Sequence, residues 1–112
     1  MAGKRLTVKI NNNSWLVRLI TDKEMDKVAG EGHVGACIWD EDRAGQIVLT
    51  RDGLTLATIV HELGHAYLRE CPTHSAGLSL EQFEEVVVEL YARKWKEIVT
   101  TARTILRRLR GR

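Results

Sequence analysis

Residues 55–70 read TLATIVHELGHAYLRE, and this stretch decides how the rest of the chain is understood. Leu56, Ile59, Val60, Leu63, Ala66 and Tyr67 recur at helical spacing, which predicts one amphipathic helix from Leu54 to about Arg69. Cys71-Pro72 ends it, because proline cannot continue a helix and restricts the residue before it. Inside the helix sits His61-Glu62-Leu63-Gly64-His65, an HExxH. Residues four apart share a helix face, so the two imidazoles stand side by side, one turn apart. Glu62 points about 100° away from His61.

Two imidazoles so placed can hold one tetrahedral zinc ion. Glu62 is then too far round the helix to be a close ligand, but it can act on a water in the site as a proton acceptor. The plain alternative is a helix whose histidines merely face core or solvent. Its central position, flanked by TIV and AY, favours the metal reading.

A catalytic zinc takes three protein ligands. Downstream of His65 the candidates are His74, Glu81, Glu84, Glu85 and Glu89. HExxHxxGxxH is absent, since position 68 is Leu and position 71 is Cys. The third donor is therefore expected on the next helix. Ser79 with Gln82 forms a capping-box pattern, and a helix is expected over 79–109, with Thr100-Thr101 marking a bend or a break. With Phe83 at 0° and 100° per residue, Leu80, Phe83, Val87, Leu90, Tyr91, Trp95 and Ile98 gather about 50° round the axis. Glu84 falls at about 100° on that face, whereas Glu81, Glu85 and Glu89 turn progressively away. A carboxylate on a buried face needs a partner, and a zinc ion is one. Glu84 is the expected third ligand, with Glu85 second.

The first half reads as strands. LTVKI (6–10) and SWLVRLI (14–20) flank Asn11, Asn12 and Asn13, a hairpin pattern. Thr21 with Glu24 opens a short helix that Gly30 stops. ACIWD (36–40) and QIVLT (46–50) form a second expected hairpin around EDRAG. His33, in EGHVG, reads as a loop residue, and Trp15, Trp39 and Trp95 read as core. The expectation is a single α+β domain over residues 1–112. Residues 1–53 are mostly strands, 54–70 the metal-site helix and 79–109 the C-terminal helix.

Composition sets further bounds. The chain has 112 residues, 44% hydrophobic and 29% charged, as an ordinary globular domain does. Neither a secretory leader nor a membrane span is visible. A soluble, cytoplasmic protein with free thiols at Cys37 and Cys71 is expected, a disulfide between them staying open. The net charge is +2, yet residues 101–112 hold five arginines and no acid, which leaves −3 on the first hundred residues. A basic helix end complements the helix dipole; it also attracts an anionic partner such as nucleic acid.

The stretches ACIWDEDRAGQIVLT, TLATIVHELGHAYL and LSLEQFEEVVVELYARKW, over about residues 34–98, resemble the zincin metallopeptidases of the gluzincin type. They are most similar to minimal gluzincins and small HExxH proteins of phages and prophages. The resemblance implies a small antiparallel or mixed sheet packed on the HExxH helix and a long C-terminal helix. It implies zinc held by His61, His65 and Glu84, with Glu62 as general base. It also implies a peptide substrate added to the sheet along edge strand 46–50. Larger gluzincins use a Tyr or His to stabilise the oxyanion. Tyr67, His74 and Tyr91 are the positions open to that role, though packing or a surface place explains each. Two functions follow: a zinc-dependent endopeptidase, or a zinc-stabilised protein-binding module.

Overall fold

The computed structural model describes residues 3–40, 43–70 and 77–111. Cys71, Pro72 and His74 lie outside the described residues. Four strands, β1 (Arg5–Ile10), β2 (Asn13–Leu19), β3 (Gly35–Asp40) and β4 (Arg43–Leu49), combine with helices α1 (Asp22–Ala29), α2 (Leu56–Arg69) and α3 (Leu80–Leu109). The architecture is α+β, with a small mixed sheet and a long C-terminal helix. Among the described residues no helix is long and apolar enough to cross a membrane.

The first hairpin turns on Asn11 and Asn12, both left-handed with φ of 51° and 70°. Two consecutive positive φ values give the turn whose twist matches a two-residue hairpin, and asparagine tolerates them. Asn13 then pairs with Ile10 as the first residue of β2. Thr21 caps α1 by accepting from the Glu24 amide, and Ser79 with Gln82 closes the expected capping box on α3. Thr55 caps α2 by accepting from the Thr58 amide, so the helix begins at Leu56, two residues later than the apolar pattern predicts.

The strand order is β1-β2-β4-β3. β1 and β2 are antiparallel, β2 and β4 parallel, β3 and β4 antiparallel. This corrects the expectation that strand 46–50 is an edge, because β4 lies between two neighbours. The reason is legible in its side chains. Ile47, Val48 and Leu49 are consecutive and all fully buried, the mark of a strand covered on both faces. The edges are β1 and β3.

The sheet buries two unequal faces. On one, Trp15, Val17, Leu19, Ile47 and Leu49 meet Ile59, Leu63, Ala66 and Tyr67 of α2 and Ile98, Ala102, Ile105 and Leu109 of α3. On the other, Val48 and Ile20 pack with Met25 of α1. Trp15 is wholly buried, and Trp39 lies against it at 5.6 Å between ring centroids. Any Cβ at position 45 would overlap the Trp15 ring, so the strand passes over the indole only as glycine.

α3 runs unbroken through Thr100 and Thr101, against the expected bend or break. The Thr104 hydroxyl instead turns back to the Thr100 carbonyl at 3.2 Å, satisfying itself within the helix. Thirty residues make a rod about 45 Å long, while strands of this sheet span only about 20 Å. Only the C-terminal part of α3 finds a sheet to cover. Val87 and Leu90 are half-buried and Ile98 is buried, as expected, but Leu80, Phe83, Tyr91 and Trp95 are exposed. The expected buried face of the N-terminal half, and Trp95 as core, are corrected accordingly.

Candidate metal centre

α2 presents His61 and His65 on its exposed side and turns Ile59, Glu62, Leu63 and Ala66 inward. The Nε2 atoms of the two histidines are 3.2 Å apart, and their rings meet edge to face at 4.8 Å. Two nitrogens bound to one tetrahedral zinc at about 2.0–2.1 Å stand about 3.3 Å apart. The pair therefore has the separation, the atom type and the access that such an ion requires.

Among the described residues no three His, Cys, Asp or Glu side chains converge as a metal group. Glu84 is exposed and is not gathered with the histidines. It shares a stripe with Val87 and Tyr91, three and seven residues on, and both of those line a hollow of about 490 Å³ beside His61 and His65. Glu84 thus sits one turn N-terminal of that rim. Glu85 instead borders a separate groove with Tyr67, Glu70 and Glu89. As the second choice for third ligand it is on the wrong side of α3, because consecutive helix positions diverge by about 100°.

A second hollow, of about 450 Å³, opens between α2 and β3. His61 and His65 border this one too, so the pair forms the ridge between two clefts. Glu62 faces the β3 side and is only 7% exposed. Burial raises its carboxyl pKa above the ordinary value, and the nearby His61, His65 and His33 partly offset that. Gly35, the first residue of β3, is pressed against it. A Cβ at position 35 would lie 3.2 Å from both Cγ and Oε2 of Glu62 and 2.9 Å from Cγ2 of Thr58. The carboxylate is therefore seated by a glycine that leaves it room.

His33 borders the same cleft, a place its loop setting in the sequence did not reveal. Its Nδ1 is 3.2 Å from the Gly30 carbonyl. A carbonyl only accepts, so Nδ1 carries the proton of that hydrogen bond. The next residue is braced as well: the Val34 carbonyl accepts from the Thr50 amide at 3.0 Å and from its hydroxyl at 3.3 Å. Cys37 and Arg69 complete the wall. Burial, with Glu62 adding to it, pushes the Cys37 thiol up to about 11, so it is protonated and unreactive at neutral pH.

The three positions considered for oxyanion stabilisation separate cleanly. Tyr67 is buried and donates its hydroxyl to Glu97 at 2.5 Å; it faces the other groove and is engaged there. Tyr91 borders the hollow beside the histidines and lies 5.7 Å from Trp95, ring to ring. His74 lies outside the described residues. The C-terminal end of α2 is held by Glu70, whose carboxylate accepts from Trp15 Nε1 at 2.6 Å and Asn13 Nδ2 at 2.7 Å, and whose carbonyl accepts from Asn11 at 2.9 Å. The first hairpin thereby fixes the helix that carries the histidines.

Compared with protein-family profiles, curated proteins and solved structures, the chain finds no match.

Proposed function

We propose that the chain is a zinc-dependent endopeptidase. The observation that carries this is the 3.2 Å pairing of His61 and His65 Nε2 beside a carboxylate, Glu62, held in the adjoining cleft. His61 and His65 would hold the ion. Glu84 is the proposed third donor, one turn N-terminal of the residues of α3 that line the hollow beside the histidines. When bound, the ion supplies Lewis-acid polarisation of a carbonyl and of a water.

The protein's own groups do the rest. Glu62 accepts a proton from the water that attacks the scissile carbonyl and returns it to the departing amine nitrogen. A carboxylate with a raised pKa suits both transfers better than an ordinary one, since a proton acceptor that must also donate works best nearer the operating pH. The substrate would lie as an extended strand along β3, the edge that borders the cleft, with main-chain hydrogen bonds fixing its direction. This replaces strand 46–50, which has no open edge.

A second reading, a zinc-stapled binding module, would use the same histidine pair and differ in that Glu62 acts on no substrate. Glu62→Gln separates the two. The peptidase reading expects the variant to retain zinc by elemental analysis while cleavage of an unfolded protein substrate is abolished. Cleavage equal to wild type would end that reading; absence of cleavage by zinc-loaded wild type leaves the binding module standing.

A further inference from the structure

The far end of α3 has a chemistry the metal centre does not use. No acid follows Glu97 in the sequence, while Arg103, Arg107, Arg108 and Arg110 lie on the helix or at its cap. Arg103, Arg107 and Arg110, spaced four and three residues apart, form one stripe. With Leu106 they line a surface hollow of about 600 Å³. All three arginines are exposed. The ion pairs on α3, Arg93 with Glu89 and Lys94 with Glu97, both lie before this stretch. Among the described residues no carboxylate pairs with the stripe. Lys4 adds a further cation against Gly111 at the helix end.

A helix dipole accounts for cations within the last turn only. Arg103 lies before the last turn, about 1.7 turns from the helix end at Leu109, so the dipole does not explain it. The stripe also avoids both clefts beside His61 and His65, none of whose walls it shares.

We propose that Arg103, Arg107 and Arg110 form a docking surface for the phosphate backbone of duplex DNA, engaged without regard to base sequence. Seven residues of helix span about 10.5 Å, while three successive phosphates of one strand span two steps of about 3.4 Å, about 7 Å along the axis, a difference the long arginine side chains can cover. Guanidinium forks pair with phosphate oxygens bidentately. Single strands are bound by stacking bases on aromatic rings, and among the described residues none that lines the hollow is aromatic. A membrane-surface helix needs an exposed apolar face beside its charges, and here the one apolar side chain in the hollow, Leu106, is half-buried against the core.

The test is fluorescence anisotropy of a labelled duplex of about 20 base pairs at salt concentrations from about 50 to 200 mM. Three phosphate contacts give a slope of log affinity against log salt of about −2.7, which is about 40-fold weaker binding across that range. The Arg103→Gln/Arg107→Gln variant leaves the Arg110 hydrogen bond to the Leu54 carbonyl in place. Its slope should fall to about −0.9, with circular dichroism unchanged. The Arg103→Lys/Arg107→Lys variant, which keeps both charges, should retain most of the salt dependence. Should the glutamine variant lose its helical signal, the lysine variant and wild type alone decide the matter by whether a salt-sensitive duplex affinity is present. Wild-type binding that ignores salt, a glutamine variant that binds as wild type does, or binding to phosphatidylserine vesicles with none to DNA overturns the proposal.

Discussion

The Nε2 atoms of His61 and His65 are 3.2 Å apart, a separation set by one helical turn and by the ring orientations on the open side of α2. Ligands held at the right spacing before the ion arrives lower the ordering cost of binding it. Replacing either histidine by alanine should weaken zinc binding by more than about 100-fold, the upper figure for loss of a mere supporting partner. Competition against a chromophoric chelator measures this. A single variant that keeps wild-type affinity would remove the pair from the metal centre.

Gly35 and Glu62 are coupled by contact rather than by any bond. Gly35→Ala should push the carboxylate from its seat, at a stability cost of about 1–3 kcal/mol for overpacking. Zinc affinity should hold while kcat/KM falls at least about tenfold, since a small misplacement of a catalytic group is costly. Unchanged turnover at full zinc loading would show that the seat does not matter.

Burial of Glu62 has a pH signature in the zinc-free protein. Its pKa is raised above the ordinary 4.5 when folded, so the folded state holds the proton more tightly than the unfolded state. That contribution is complete below the unfolded value and is lost as pH rises through the folded one. Glutamine cannot ionise. With chelator present, Glu62→Gln should therefore gain stability relative to wild type as pH rises from acid to neutral, with the difference vanishing at low pH. Melting temperatures of both proteins across that range test it; a gap that widens towards acid has the wrong sign.

Glu70 ties α2 to the first hairpin through three hydrogen bonds. Glu70→Ala leaves the buried Trp15 indole N–H without its acceptor and should cost about 2–4 kcal/mol in urea unfolding. Glu70→Gln keeps an acceptor and should cost less. Equal effects of the two variants would mean that the charge, not the acceptor, holds the helix.

Tyr67→Phe should cost about 1 kcal/mol through loss of the Glu97 hydrogen bond while leaving kcat/KM at the wild-type value. A fall in turnover without a matching fall in stability would return Tyr67 to the site.

Local chemistry was the legible part of this chain. Asn11-Asn12, the caps at Thr21 and Ser79, and the helical period around His61 and His65 all act through neighbours in sequence, and each appears where the pattern placed it. Strand order is not a local property. The run Ile47-Val48-Leu49 carries the mark of a strand covered on both faces, but which strands then lie at the edges depends on pairings distant in sequence. The buried face of α3 failed for a different reason. Period alone cannot tell that a helix outruns the sheet it covers, so Leu80, Phe83, Tyr91 and Trp95 keep a core-like spacing yet are exposed. His33 and Gly35 join the cleft only because β3 lies across α2, and no spacing along the chain encodes that.

β3 has two duties on one short piece of backbone. Its outer edge borders the cleft, and its first residue makes room for Glu62. A peptide aligned on that edge would be measured against the same strand that positions the proton acceptor, so a slip of one residue along β3 would carry a different peptide bond to the carboxylate. The strand would act as a ruler whose zero mark is Gly35, and the place of the cut would be set by main-chain register before any side-chain pocket is consulted.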